Sequence, residues 1–545
     1  MSYTLEKSNW IKAHFLVLFV ASWPFLSFFQ ENWKEEGFNE NFYIYWLVYL
    51  ALTQLILLAA RGIFRRSDAF YLACLVSTAS AVFTTFNIFN ALFRKVVPEG
   101  LVIEYVFYAL FCCAALGMGV WLFRYAAAKV FFFYFALALI AVPTIQLVSP
   151  LVFFEQEEKL EPQAESAEQS GAEETEPDGG GKFESRPNVY MFIPDEYVRA
   201  DVLEELTGFD NKEFLSQLKA RGFKTVPRGH SNYGKTGTSI ATTLSMQFII
   251  AEGKNAEYRP IIKYGGAEKN KIKYGEGRVI KKFRDNGYKY YFATSRESFV
   301  GDSCPPGPDY CYQGRGGLGE LEANLLKLTP MLNILRKYFV DFVSNYMLRP
   351  EWVVDNMPDT GGAPLFTVTH FVQPHSPYVS NADCSIRETG PKNQWDFLVN
   401  FRWSQNLPPE VQKEYYLDNL KCANIRLMTA VDRILEQDPD AVIIIQGDHG
   451  TGHKSKYQKF HMPVSEWTKE ELMERHSAFN TLRLPEKCRE LIYPTMTLVN
   501  TYRIVFACLE GRKPKLQPDK LYAGTYANSD MELFADFTNL QPTYE

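Results

Sequence analysis

The chain has 545 residues, with 63 acidic side chains against 57 basic ones and a formal charge of −6. That length exceeds one ordinary domain, and without a basic tract nucleic acid is excluded as a partner. The averages mix two unlike halves. Residues 1–153 are dominated by Phe, Leu, Ala, Val and Tyr, whereas the remainder reads as a water-soluble α/β protein.

Five apolar stretches, near residues 11–30, 43–60, 69–93, 101–123 and 129–150, each approach the ~20 residues that cross a bilayer. The first has no small-residue cleavage site and more spans follow it, so it reads as an anchor rather than a removed signal peptide. Arg61, Arg65 and Arg66 lie between the second and third stretches, and Arg124 and Lys129 between the fourth and fifth; Glu31, Glu35, Glu36 and Glu40 follow the first. The excess of positive charge on the cytoplasmic side then sets the N-terminus in the cytoplasm, and an odd number of spans sends everything after residue 150 outside. The expected organisation is a five-helix membrane domain over 1–153, a flexible acidic linker over 154–186, and a separate α/β domain over 187–545. The linker is rich in Glu, Gly and Ser and lacks apolar periodicity, so it buries too little surface to offset ordering entropy.

Of nine cysteines, Cys74, Cys112 and Cys113 fall in the spans. Six more (Cys304, Cys311, Cys384, Cys422, Cys488 and Cys508) fall in the soluble half, an even number suited to disulfides in an oxidising compartment. Cys304 and Cys311 bracket one loop and are expected to pair with each other.

From Pro187 onward short apolar runs alternate with helical patterns. Strands are expected at 189–193, 289–293, Leu365–Phe371 and 441–446, and helices at 212–222, 277–286, 320–348 and 411–436. This alternation implies a mainly parallel sheet covered on both faces, whose ligands sit beyond the carboxyl ends of the strands. Polar residues directly after strands are therefore the candidates. The first strand runs into Asp195-Glu196, another into His370 and then His375, and the last into Asp448-His449. Adjacent carboxylates at a sheet mouth repel each other unless a cation lies between them. A carboxylate beside an imidazole favours zinc or manganese over calcium.

Between these strands, Asn232-Tyr233-Gly234-Lys235-Thr236-Gly237-Thr238-Ser239 sets hydroxyls and glycines ahead of a helix. A threonine hydroxyl becomes a nucleophile when a metal and a helix N-terminus lower its pKa, and the same N-terminus accepts a phosphate. Thr236 is the candidate nucleophile, and one of Thr238 and Ser239 is expected to cap the helix. Residues 229–236 also fit the P-loop pattern formally, but Pro227 breaks the strand which that motif requires. His375, in a loop stiffened by two prolines, and His461 are candidates for proton transfer or for binding an anionic substrate. His370 is expected in the core.

In this order the segments resemble the membrane-anchored phosphoethanolamine transferases and lipoteichoic-acid synthases of the sulfatase/alkaline-phosphatase superfamily. The resemblance runs through 192–201, 232–239, 370–378 and 447–450; Phe479-Asn480-Thr481 and Val499-Asn500-Thr501 resemble a subgroup associated with envelope glycans. It implies an alkaline-phosphatase/sulfatase-like α/β fold and a covalent phospho-threonine at Thr236. The implied metal ligands are Thr236, Asp448, His449 and one or both of Asp195 and Glu196, and the implied metal is zinc, with manganese or magnesium as alternatives. The resemblance further implies a phospholipid donor of phosphoethanolamine or phosphoglycerol, an envelope glycan or glycolipid acceptor, and residence in a bacterial inner membrane with the catalytic half in the periplasm. The alternative is a membrane-anchored phosphodiesterase or phosphatase with water as acceptor. No Cys/Ser-x-Pro-x-Arg motif stands near residue 236, so formylglycine-dependent sulfate hydrolysis is excluded.

Overall fold

The computed structural model describes residues 2–36, 40–86, 88–89, 101–153, 181–252, 258–260, 272–294, 307–313, 325–326, 328–331, 348–388, 407–455, 462, 464–524 and 534–538. The chain divides into two compact units, Met1–Glu174 with Glu320–Tyr338, and Thr175–Gly319 with Phe339–Glu545.

Among the described residues the first unit contains five apolar helices: α1 (Ser2–Glu36), α2 (Glu40–Ile63), α3 (Ala69–Thr84), α4 (Leu101–Leu122) and α5 (Ala126–Phe153). Three segments within them, Asn9–Gln30, Phe42–Ile63 and Ala126–Leu147, are long and apolar enough to cross a membrane; Ala69–Thr84 and Val106–Leu122 are apolar but shorter. The unit is built for a non-aqueous surround. Leu16, Val17, Leu72, Ala73 and Phe123 form its core, while Leu47, Leu55, Phe131 and Ile145 are exposed. Water would penalise that surface and lipid does not. At the polar end, Asp68 accepts from the Phe70 N–H at the start of α3 and pairs with Lys129 of α5 at 2.6 Å.

The second unit is a three-layer α/β structure, with its elements in the order β1 (Val189–Pro194), α6 (Ala200–Thr207), α7 (Lys212–Ala220), β2 (Phe223–Thr225), α8 (Thr236–Ser245), β3 (Ile250–Glu252), β4 (Tyr258–Pro260), α9 (Arg278–Asp285), β5 (Lys289–Thr294), β6 (Tyr310–Gln313), α10 (Pro350–Asp355), β7 (Leu365–Phe371), α11 (Pro409–Gln437), β8 (Val442–Gln446), α12 (Lys469–His476), β9 (Asn480–Arg483), α13 (Thr501–Leu509), β10 (Tyr522–Gly524) and β11 (Phe534–Asp536). The main sheet runs β2-β9-β8-β1-β7-β5-β6. Strands β8, β1, β7, β5 and β6 are mutually parallel, and β9 lies antiparallel to both β8 and β2. Successive residues of β1 point to opposite faces. Val189, Met191 and Ile193 therefore pack with α8, α9 and α13, while Tyr190 and Phe192 pack with α6, α7, α10 and α11. Burial on both faces explains why these strands read as continuous apolar runs.

The four expected strands and the helices expected at 212–222, 277–286 and 411–436 are present, each to within two residues. Most of the expected helix at 320–348 lies outside the described residues, as do 154–180 of the expected linker. Within its last residues, Phe183 packs against Phe283 and Phe506. The short antiparallel pair β2–β9 and the second sheet, β10-β11-β4-β3, carry no periodicity long enough to be read in advance. Disulfides join Cys384 to Cys422 and Cys488 to Cys508. Cys311 is also disulfide-bonded, and Cys304 lies outside the described residues.

Candidate metal centre and nucleophile

Residues from the ends of two adjacent central strands meet at one point. Asp195 follows β1, and Asp448 and His449 follow β8. One potential ligand atom from each of these three buried residues lies within 4.8 Å of the others. His449 Nε2 is 3.2 Å from Asp448 Oδ2 and 3.9 Å from Asp195 Oδ1. Thr236 is the first residue of α8, and its Oγ1 lies 3.1 Å from the same His449 nitrogen.

The surroundings orient each group. His449 Nδ1 is within 2.9 Å of the Gly450 carbonyl, which directs the lone pair of Nε2 into the cluster. Asp448 Oδ1 accepts from the backbone N–H groups of Glu196 and His449, both at 3.0 Å. Ser239 Oγ donates to the Asp448 carbonyl at 2.6 Å, tying α8 to the end of β8. Gln446 and Thr501 extend that tie through Thr243. Close approach at this corner needs glycine: a Cβ on Gly450 would lie 2.0 Å from the Glu474 carbonyl oxygen. Neither Thr238 nor Ser239 caps α8, contrary to expectation. The cap position falls earlier, at Lys235, and both hydroxyls are buried in the first helical turn.

The electrostatics suit a divalent cation. Burial would raise the Asp195 carboxyl, but His375 and His370, with His449, outweigh it and hold it below the usual range. Asp448 is pushed up to about 7 by burial and by the neighbouring Asp195 charge. Burial, reinforced by Arg475, keeps His449 neutral. Asp195 Oδ1 and Asp448 Oδ2 are buried without hydrogen-bond partners. Two orphaned carboxylate oxygens facing a neutral imidazole are costly unless a cation joins them, and this donor set is one that zinc or manganese takes.

Glu196 is not one of the three clustered residues; its Oε1 accepts from Arg475 Nη1 at 2.6 Å. His370, expected in the core, is indeed buried at the end of β7, but its Nε2 lies 3.4 Å from Asp195 Oδ2. His375 is half-buried beyond the strand ends; its N–H donates to the Asp195 carbonyl at 3.1 Å. Its loop is fastened to α11 through Asn419, which accepts from the Ser380 N–H, and through the Cys384–Cys422 bond. His461 lies outside the described residues. Arg475 had no signal in the sequence, because a charged residue near a helix end ordinarily faces water; here it is buried among three loops.

No family model matches the chain, and no curated protein does. Among solved structures it is similar to the zinc complex of the C-terminal periplasmic domain of EptC from Escherichia coli, at 12% identity over 65% of this chain and 93% of that one, with a TM-score of 0.39. It is similar too to the soluble domain of lipooligosaccharide phosphoethanolamine transferase A from Neisseria meningitidis, at 10% identity over 60% and 89%, with a TM-score of 0.36. A Vibrio parahaemolyticus protein in the alkaline phosphatase superfamily matches at 13% identity over 64% and 75%, again with a TM-score of 0.36.

Proposed function

We propose that the chain is a membrane-anchored phosphoryl-group transferase of the alkaline phosphatase superfamily, which moves phosphoethanolamine or phosphoglycerol from a phospholipid to an envelope glycan or glycolipid. The observation that carries this reading is the Thr236 hydroxyl at the N-terminus of α8, 3.1 Å from His449 in the Asp195–Asp448–His449 cluster. Asp195, Asp448, His449 and the Thr236 oxygen would hold a divalent cation, which supplies Lewis acidity that lowers the pKa of the threonine hydroxyl. Asp195 is preferred over Glu196 as the ligand, because Arg475 occupies the Glu196 carboxylate.

In the first step Thr236 Oγ attacks the phosphorus of the lipid phosphodiester and its proton passes to solvent. The bond from phosphorus to the glycerol oxygen breaks, and diacylglycerol leaves with a proton delivered by His375. The backbone N–H groups at the start of α8 face the phosphoryl oxygens. In the second step a sugar hydroxyl attacks the same phosphorus and His375 or His461 takes its proton; the bond from phosphorus to Thr236 Oγ breaks, and Oγ takes back a proton from solvent to leave the free hydroxyl. Both steps follow general acid–base logic.

The five-span reading, with the N-terminus in the cytoplasm and the second unit outside an inner membrane, is part of this proposal. It tethers the second unit to the membrane that carries its lipid donor, raising the effective concentration of that donor. The test is mass spectrometry of envelope glycans and lipids from cells with and without the gene. A phospho-alcohol missing from a glycan in the deletion strain supports transfer; intact glycans with loss of a released phospho-alcohol would make the enzyme a hydrolase.

A further inference from the structure

Arg475 lies buried on α12, where three loops of the site converge. Its Nη1 donates to Glu196 Oε1 at 2.6 Å and to the Gly450 carbonyl at 2.9 Å, and its Nε donates to the Gly234 carbonyl at 2.7 Å. Its Nη2 stands 3.4 Å from His449 Nε2. The loop after β1, the loop before Thr236 and the turn after β8 are thus held by one guanidinium. Gly234 leaves the room this requires, since a Cβ there would lie 2.8 Å from Arg475 Cγ.

Its partner is as tightly engaged. Glu196 has φ +59, a left-handed conformation uncommon for a glutamate. In that conformation its N–H holds Asp448 Oδ1, its carbonyl accepts from Tyr416 at 2.8 Å and its carboxylate meets Arg475. A buried ion pair is weak evidence for stability, because well-packed apolar replacements are often no less stable. What the pair does supply is direction, as three acceptors are set by one planar fork.

We infer that the Glu196–Arg475 pair is a positioning device, which keeps Asp448 and the Thr236 loop in register with His449. This rests on the reading of Thr236 as nucleophile beside a metal. Residues that orient ligating side chains typically contribute about 10–100-fold to metal affinity or activity.

The test uses the full-length protein in detergent, with bis-p-nitrophenyl phosphate as the donor. Zinc affinity is read by chelator competition, the Thr236 adduct by intact mass, p-nitrophenol release by absorbance and folding by thermal denaturation. The double variant Glu196→Leu/Arg475→Met is expected to stay folded, to bind zinc about 10–100-fold more weakly and to form the adduct correspondingly more slowly. KM for the diester stays unchanged, because the pair is not expected to touch the substrate. Arg475→Lys keeps the charge but not the fork, and is expected to resemble the double variant.

Parent-like zinc affinity and adduct rate in the folded double variant, or full rescue by lysine, would overturn the inference. If the double variant does not fold, the lysine variant decides. If neither folds, the pair serves stability and the inference falls. Failure of the underlying reading is separately visible, because the parent protein would then bind no zinc or form no adduct at Thr236.

Discussion

A threonine hydroxyl is a poor nucleophile in water, and Thr236 differs from an ordinary surface threonine through its neighbours alone. Its Oγ1 meets His449 at the start of a ten-residue helix, next to two carboxylates that burial deprives of water. Thr236→Ala is expected to remove the covalent adduct at that position and reduce turnover on the order of 10³-fold or more, as judged by intact mass and product release. Asp448→Asn is expected to lower the divalent metal recovered with the purified protein, measured by elemental analysis. Away from the centre, His230 and His476 are held neutral. Burial lowers His230 to about 3, aided by the Arg199 charge, and burial lowers His476 to about 4. Both fall from an ordinary value of 6.5. Below that value the unfolded chain binds a proton that the folded chain refuses, so the stability these groups contribute is present above pH 6.5. It is lost as the pH falls through the window down to about 4 and then about 3. Each group contributes a slope of about 1.4 kcal/mol per pH unit at most. Thermal denaturation across that window is expected to flatten in His230→Gln or His476→Gln.

Among the elements, the central parallel strands act as a rack. Strands β1, β7 and β8 lie side by side, so the residues beyond their carboxyl ends converge whatever their separation in sequence. The His375 loop has no strand of its own and depends on fastening. Cys384 and Cys422 close 38 residues between that loop and α11. In the chain-entropy account a closure of this size contributes about 4 kcal/mol. Reduction, or the double substitution Cys384→Ser/Cys422→Ser, is expected to lower the thermal midpoint and slow turnover more than it weakens the binding of a divalent metal. A parent-like rate after confirmed reduction would show that the His375 loop needs no clamp. Gly450→Ala is expected to cut the yield of folded protein, because its Cβ would collide with the Glu474 carbonyl.

At the scale of the whole molecule, one unit presents apolar side chains outward and the other buries them. The first suits a lipid surround and the second an aqueous one. Under the proposed orientation, reporter fusions placed after residue 66 are expected to report the cytoplasm and fusions at the C-terminus the opposite side. The same side for both would contradict an odd number of spans.

The apolar helices of the first unit, three of them long enough to cross a membrane, the central strands and the meeting of Asp195, Thr236, Asp448 and His449 were legible in the amino-acid order. Each rests on a local pattern: an apolar run, its period, or a polar residue just past its end. Which acid of the Asp195-Glu196 pair faces the cluster was not legible, because one left-handed residue swings the second carboxylate towards Arg475. Arg475 itself, the approach of His370 to Asp195 and the pairing of Cys384 with Cys422 were equally hidden. All of these join residues brought together only when strands stack side by side, and no spacing along the chain encodes such a meeting.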